Sequence, residues 1–125
     1  MLKNNELRIG NICQWSEFSK IGNGQFTISL GNLPFVKDMN PIWLTDEWFI
    51  KFGFKRSGGY WYHYIDDYHY CFREGNKKWS FSIEYTDDHS VEDFKKYFVS
   101  SGIEYVHQLQ NLWFSLTQTE LKGHN

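Results

Sequence analysis

His63, His69 and Cys71 are the residues of this chain with the character of metal ligands. Imidazole nitrogen and thiolate sulfur are donors that zinc and its neighbours favour, and they serve only when they converge on one point. Whether they converge depends on a single loop. Asp66-Asp67 tolerates the left-handed backbone of a two-residue hairpin turn, which would pair Ile65 with Tyr68 and His63 with Tyr70. Side chains alternate along a strand, so His63 then faces away from His69 and Cys71. A three-residue loop over 66–68 would bring all three to one face. The two-residue loop is the expectation. It leaves the histidines in ordinary hydrogen bonds, and neither a metal nor any other cofactor is assigned.

Carboxylates form the second group. Glu84, Asp87, Asp88, Glu92 and Asp93 fall in a stretch that holds no Lys or Arg. With His89 among them they resemble a general acid–base set in composition only, because catalysis also needs a pocket and a shifted pKa. One reading is a solvated loop leading into a short helix capped at Ser90, where negative charge suits the helix start. The other is an acidic patch that docks on the basic, nucleic-acid-binding surface of another protein. Ser, His and Asp are too scattered for a triad. Gly22-x-Gly24 does not join a strand to a helix, so it reads as a turn and not a phosphate loop. No catalytic residue is assigned, and the chain is read as non-enzymatic.

The sharper candidate is aromatic. Aromatic residues make up 20% of the chain, and Tyr60, Tyr62 and Tyr64 alternate along one segment, with His69 and Arg73 on the next. Tyr and Arg recur at binding hot spots because they offer area, a polar tip and little entropy loss. Together with Glu84, Asp87 and Asp88 these residues are the candidate partner-binding set. Two alternatives stand beside it: the same rings could stack single-stranded bases, or the N-terminal strands or the segment over 31–41 could cover them as a second core layer.

These side chains are positioned by three strands over 58–86. Trp79-Ser80-Phe81-Ser82-Ile83-Glu84-Tyr85 alternates apolar and polar without a slip, the mark of a half-buried strand. A turn at 75–78 pairs Glu74 with Trp79 and Phe72 with Phe81. Parity then gathers Trp61, His63, Ile65, Tyr68, Tyr70, Phe72, Trp79, Phe81, Ile83 and Tyr85 on a core face, and leaves Tyr60, Tyr62, Tyr64, His69, Cys71, Arg73, Ser80, Ser82 and Glu84 on a wet one. Upstream, strands are expected over 7–13 and 25–30, with irregular chain over 31–41. Thr45 caps a helix whose first turn carries Asp46 and Glu47, and Gly53 ends it in a left-handed cap. A short helix is expected from Ser90, with Val91, Phe94 and Phe98 on one side. Val106, Leu109, Trp113 and Leu116 then recur at helical spacing, a stripe expected to lie on the apolar face of the sheet. His107, Gln108 and Asn111 are the polar residues of that helix; Gln108 and Asn111 share a side with Ser115, either facing solvent or fixing helix against sheet. The fold class is α+β: an antiparallel sheet of four to five strands with two or three helices packed on one face, in one domain over 1–125.

Composition narrows the function classes. A net charge of −2 over 125 residues gives no general affinity for the nucleic-acid backbone, which needs clustered basic residues. The opening Met1-Leu2-Lys3-Asn4-Asn5 has no apolar h-region, and no run approaches a membrane span. Cys13 and Cys71 are too few for a disulfide framework, so a cytoplasmic protein is expected.

Three segments resemble, in order, the signatures of a group of small proteins encoded by phages and prophages. They are Leu7-Arg8-Ile9-Gly10-Asn11, Leu44-Thr45-Asp46-Glu47-Trp48-Phe49-Ile50-Lys51-Phe52-Gly53-Phe54, and Tyr105-Val106-His107-Gln108-Leu109-Gln110-Asn111-Leu112-Trp113-Phe114. The ending Gln118-Thr119-Glu120-Leu121 departs slightly from the Gly-Glu-Glu-Leu-like form of the group. The resemblance brings no catalytic motif. It implies a phage accessory protein working in the cytoplasm of an infected bacterium, in a setting where inhibitors of host immunity, anti-CRISPR proteins among them, are common. The expected partner is thus a host defence protein of the nucleic-acid-guided nuclease class, and the alternative is a small single-stranded nucleic-acid-binding or regulatory module.

Overall fold

The computed structural model describes residues 7–17, 19, 22, 24–65, 68–75, 78–85 and 95–121. It is an α+β structure with two antiparallel sheets, in two units. One unit combines the chain up to Leu44 with Tyr105–Leu121; the other is Thr45–Glu104.

The second unit carries the five-stranded sheet, in the order β4 (Lys55–Ser57), β5 (Tyr60–Ile65), β6 (Tyr68–Gly75), β7 (Lys78–Tyr85) and β8 (Lys95–Ile103). Consecutive strands are neighbours and antiparallel. Gly58 and Gly59 both have positive φ, 56° and 84°, the backbone a two-residue type I′ turn requires between Ser57 and Tyr60. The β5–β6 register pairs Ile65 with Tyr68 and His63 with Tyr70, and β6–β7 pairs Phe72 with Phe81 and Glu74 with Trp79. Both hairpins match the alternation in the sequence.

Helix α1 (Asp46–Lys51) supplies the core of this unit. Its end is a Schellman motif. Gly53 sits at φ 85°, its N–H donates to the Ile50 carbonyl, and the Phe54 N–H donates to the Phe49 carbonyl. The accompanying apolar contact is present too, with the Phe49 and Phe54 rings edge to face at 5.3 Å. Phe49 is fully buried and also meets Trp61, Phe72 and Trp79, with centroids 5.6, 5.3 and 4.7 Å away. Asp46 ties the helix start to the sheet, accepting from the Trp61 indole at 2.9 Å and pairing with Arg56 at 3.3 Å.

The segment expected to continue a helix from Ser90 is different. Residues 90–94 lie outside the described set, but Phe98 is in strand β8, which pairs with β7 through a bulge between Trp79 and Ser82. Tyr97-Phe98-Val99 are strand-forming residues, and the open edge of β7 gives their backbone a ladder. The helix expected here is therefore corrected to a strand over Lys95–Ile103.

In the first unit a three-stranded sheet has the order β2 (Gln25–Thr27), β1 (Ile12–Trp15), β3 (Met39–Asn40). Both N-terminal strands are shorter than the sequence suggests. Arg8 to Asn11 is a turn closed by Asn11 N–H on the Arg8 carbonyl, and Leu30–Asp38 forms 3₁₀ turns on either side of a kink at Phe35, not irregular chain. Cys13, Ile28 and Met39 form its small core, and burial raises the Cys13 thiol to about 12, which keeps it protonated.

Helix α2 (Val106–Thr117) belongs to this unit, so the expected stack of helices on one face of one sheet gives way, among the described residues, to one α-helix in each unit. Trp43 bridges Tyr105, and the Val106 N–H donates to the Ile42 carbonyl, which fixes where the helix begins. Val106, Leu109 and Trp113 are buried as the periodicity requires, whereas Leu116 is exposed. Gln110 and His107 are buried as well. Gln110 accepts from the Ile12 N–H at 2.7 Å and donates to the Gly10 carbonyl at 3.2 Å. Asn111 accepts from Asn11 at 2.8 Å and from the Arg8 guanidinium at 3.2 Å. Arg8 also pairs with Glu120 and lies over the Phe114 ring at 4.4 Å. Gln108, by contrast, is exposed and caps the Tyr105 N–H. No helix among the described residues is long and apolar enough to cross a membrane.

Two outcomes follow for stability. Phe49→Ala removes the ring at the centre of the cluster and should cost about 3–5 kcal/mol in denaturant unfolding. Gln110→Ala strands the half-buried Ile12 N–H and leaves a cavity at the buried Gln110, and should cost about 1–3 kcal/mol, while Gln108→Ala at the exposed cap costs well under ~1 kcal/mol.

Candidate functional site

The face of the five-stranded sheet opposite Phe49 carries the tyrosine row. Because Tyr62 pairs with Cys71 and Cys71 with Ser82, these side chains lie in one line across the sheet; Tyr64, His69 and Glu84 form the next line. Strand β4 extends the first line with Lys55, which pairs with Tyr62. Sequence reading missed that addition. Its signal was the Gly58-Gly59 pair, which makes residues 55–57 the first arm of a hairpin.

Exposure varies along this face. Tyr64 is 54% exposed and Arg73 is exposed, while Tyr60, Tyr62, His69, Ser80 and Glu84 are half-buried. Cys71 and Ser82 are buried, so the middle of the face is not wet as parity alone suggested. The Cys71 thiol contacts the His69 carbonyl at 3.5 Å. The opposite face also departs from simple alternation at one end, where Tyr68 is 43% exposed. Asp87 and Asp88, the last of the candidate set, lie outside the described residues, as does the rest of the acidic stretch from 86 to 93.

The rings are ordered against one another. Tyr60 and Tyr62 have centroids 5.8 Å apart, and Tyr62 and Tyr64 are within 10° of parallel at 6.3 Å. The His69 ring meets Tyr64 edge-on at 4.4 Å, and the Arg73 guanidinium lies 5.6 Å from the Tyr60 centroid. The Tyr62 phenol is pushed up to about 12, chiefly by burial and next by the Glu84 charge. It therefore stays protonated near neutrality and serves as a hydrogen-bond donor and stacking surface, not as a base.

His63 is on the other face, edge-on to Phe54 at 5.1 Å, and burial holds its pKa below the ordinary value. The register thus separates it from His69 and Cys71, and the described residues hold no group of three His, Cys, Asp or Glu placed to bind a metal ion. His107 is buried on α2, its ring parallel to Tyr105 at 5.8 Å. What the tyrosine face offers chemically is area, π-faces and phenol hydrogen bonds. No family model, curated protein or solved structure matches this chain.

The Tyr62 environment has a measurable consequence. Above the ordinary value of 10 the unfolded chain releases this proton while the folded chain retains it, so stability falls as pH rises from 10 towards about 12. Phenolate absorbance should show one tyrosine ionising near the upper value. Glu84→Gln should move that titration downward, whereas Tyr62→Phe should remove it.

Proposed function

We propose that this chain is a binding protein that acts through the tyrosine face of its five-stranded sheet. The observation that supports this best is the Tyr60–Tyr62–Tyr64 row itself. Its backbone is held between β4 and β6, its rings are ordered, and its last member is 54% exposed. Pre-ordered aromatic area loses little entropy on contact, which favours a protein interface. In the phage setting that the sequence resemblance implies, the partner is a host defence protein of the nucleic-acid-guided nuclease class. The chain inhibits it by occupying a working surface, without catalysing a reaction.

Capture from bacterial host lysate followed by mass spectrometry tests this. Tyr64→Ala should reduce the captured partner at least tenfold and leave the thermal midpoint within a few degrees, as an exposed ring contributes little to folding. Tyr62→Ala should reduce capture similarly and lower the midpoint more, because Tyr62 is half-buried. Undiminished capture by both variants would overturn the proposal. Salt-dependent binding of single-stranded RNA or DNA, lost in the same variants, would replace it with the nucleic-acid module.

A further inference from the structure

The two units are related by insertion. The chain leaves the first after Leu44, runs through the whole of the second over Thr45–Glu104, and re-enters the first at Tyr105. The two pieces of the first unit must therefore meet across the insert. The bonds that join them span 98 to 103 positions, from the Ile12 N–H on Gln110 to the Arg8 guanidinium on Asn111. Closing a flexible loop of roughly sixty residues lowers the closed population by a factor on the order of a few hundred.

The second unit carries no such penalty. Its strands pair in chain order, and the rings that Phe49 of α1 meets come from strands that follow it. Its fold also brings its own ends together. Phe49, near the start, packs on Trp79 at 4.7 Å, and Trp79 pairs with Ile103 near the end. Leu44 and Tyr105 lie a few residues beyond those points along the chain. Once the second unit is folded, the loop that the first has to close shrinks from ~60 residues to a handful. The Trp43–Tyr105 bridge and the Val106 N–H on the Ile42 carbonyl, at 2.9 Å, complete the closure. Each unit also has a core of its own, around Phe49 in the second and at Cys13, Ile28 and Met39 in the first.

We infer that the first unit is a clasp, which opens and closes by itself while the second stays folded, whereas unfolding of the second takes the first with it. The order follows from the closure cost: only the clasp needs its partner unit to hold its two pieces together. Such a step is a local opening below the global transition. Tyr60, Tyr62, Tyr64 and Arg73 belong to the second unit, so the tyrosine face persists while the clasp is open.

Native-state hydrogen exchange of the full chain, read by NMR where rates report the open population, tests this. Amides of β1 and α2 should exchange together, at least tenfold faster than those of the central strand β6. Because β6 opens only after the clasp, Gln110→Ala should speed β1, α2 and β6 by the same factor, about ten- to a hundredfold. Phe49→Leu, milder than the alanine change, should speed β6 several-fold and leave β1 and α2 unchanged. Equal rates in the two units, or faster exchange of β1 and α2 in Phe49→Leu, would mean one cooperative unit and overturn the clasp. An unchanged β6 in Gln110→Ala would mean two independent units and overturn it as well. Where Gln110→Ala leaves the first unit open outright, β6 protection and the raised Tyr62 titration should remain, and their loss would count against the clasp.

Discussion

In an antiparallel sheet, each residue is committed to a face by the parity of its position, and a slip of one residue exchanges the faces completely. The pairing of Ile65 with Tyr68 sets that parity for β5 and β6, and the pairing of Phe72 with Phe81 carries it to β7. Everything else in the Thr45–Glu104 unit depends on it. It places Trp61, Phe72 and Trp79 where Phe49 can meet them, and it sends Tyr60, Tyr62 and Tyr64 to the opposite side. It also divides the histidines, so that His63 abuts Phe54 while His69 abuts Tyr64.

The core built on that parity is narrow. Helix α1 is six residues long, too short to be stable alone, so its stability comes from the rings it buries and from the Schellman closure at Gly53. Rings within reach of Phe49 are buried, and those at the far end of the strands are not, which explains the exposure of Tyr68 on the nominal core face. On the tyrosine face the reverse holds. The small side chains Cys71 and Ser82 sit in the middle of the sheet and are buried, so a face that is polar by composition has a buried centre. Tyr62 spans the boundary, and its phenol registers both the burial and the nearby Glu84 charge.

The N-terminal unit is specified by polar groups instead. Gln110 and Asn111 occupy the side of α2 that meets the turn at Arg8–Asn11 and the start of β1. There Gln110 takes up backbone groups of Gly10 and Ile12 that the short strand leaves outside its ladder, and Asn111 accepts from the Asn11 and Arg8 side chains. Buried amides of this kind are costly unless each partner is in place, so they fix one register of helix against turn. Arg8 gathers Asn111, Glu120 and the Phe114 ring into the same arrangement, so the segments over 7–11 and 105–114 meet in space.

Local patterns were legible. The alternation over 79–85, the pairing of Ile65 with Tyr68 and of Glu74 with Trp79, and the Gly53 end of α1 follow from side-chain parity and C-terminal capping, which act over a few residues. Thr45, however, makes no side-chain capping bond at the helix start. Long-range choices were not. Strand β8 was masked by a helix-start signal at Ser90, and its state was decided by the open edge of β7. The periodicity of α2 predicted its buried stripe, yet the sheet to which it belongs was decided by hydrogen bonds between positions about a hundred residues apart, such as Gln110 with Ile12. The candidate face divides in the same way: parity put the tyrosines, His69 and Arg73 on one side, while the exposure of Tyr64, the burial of Cys71 and the spacing of the rings came from packing. A sequence determines by itself what neighbours along the chain impose on each other. Burial and hydrogen-bond satisfaction between distant segments exist only once the chain has folded, and the tertiary structure decided those.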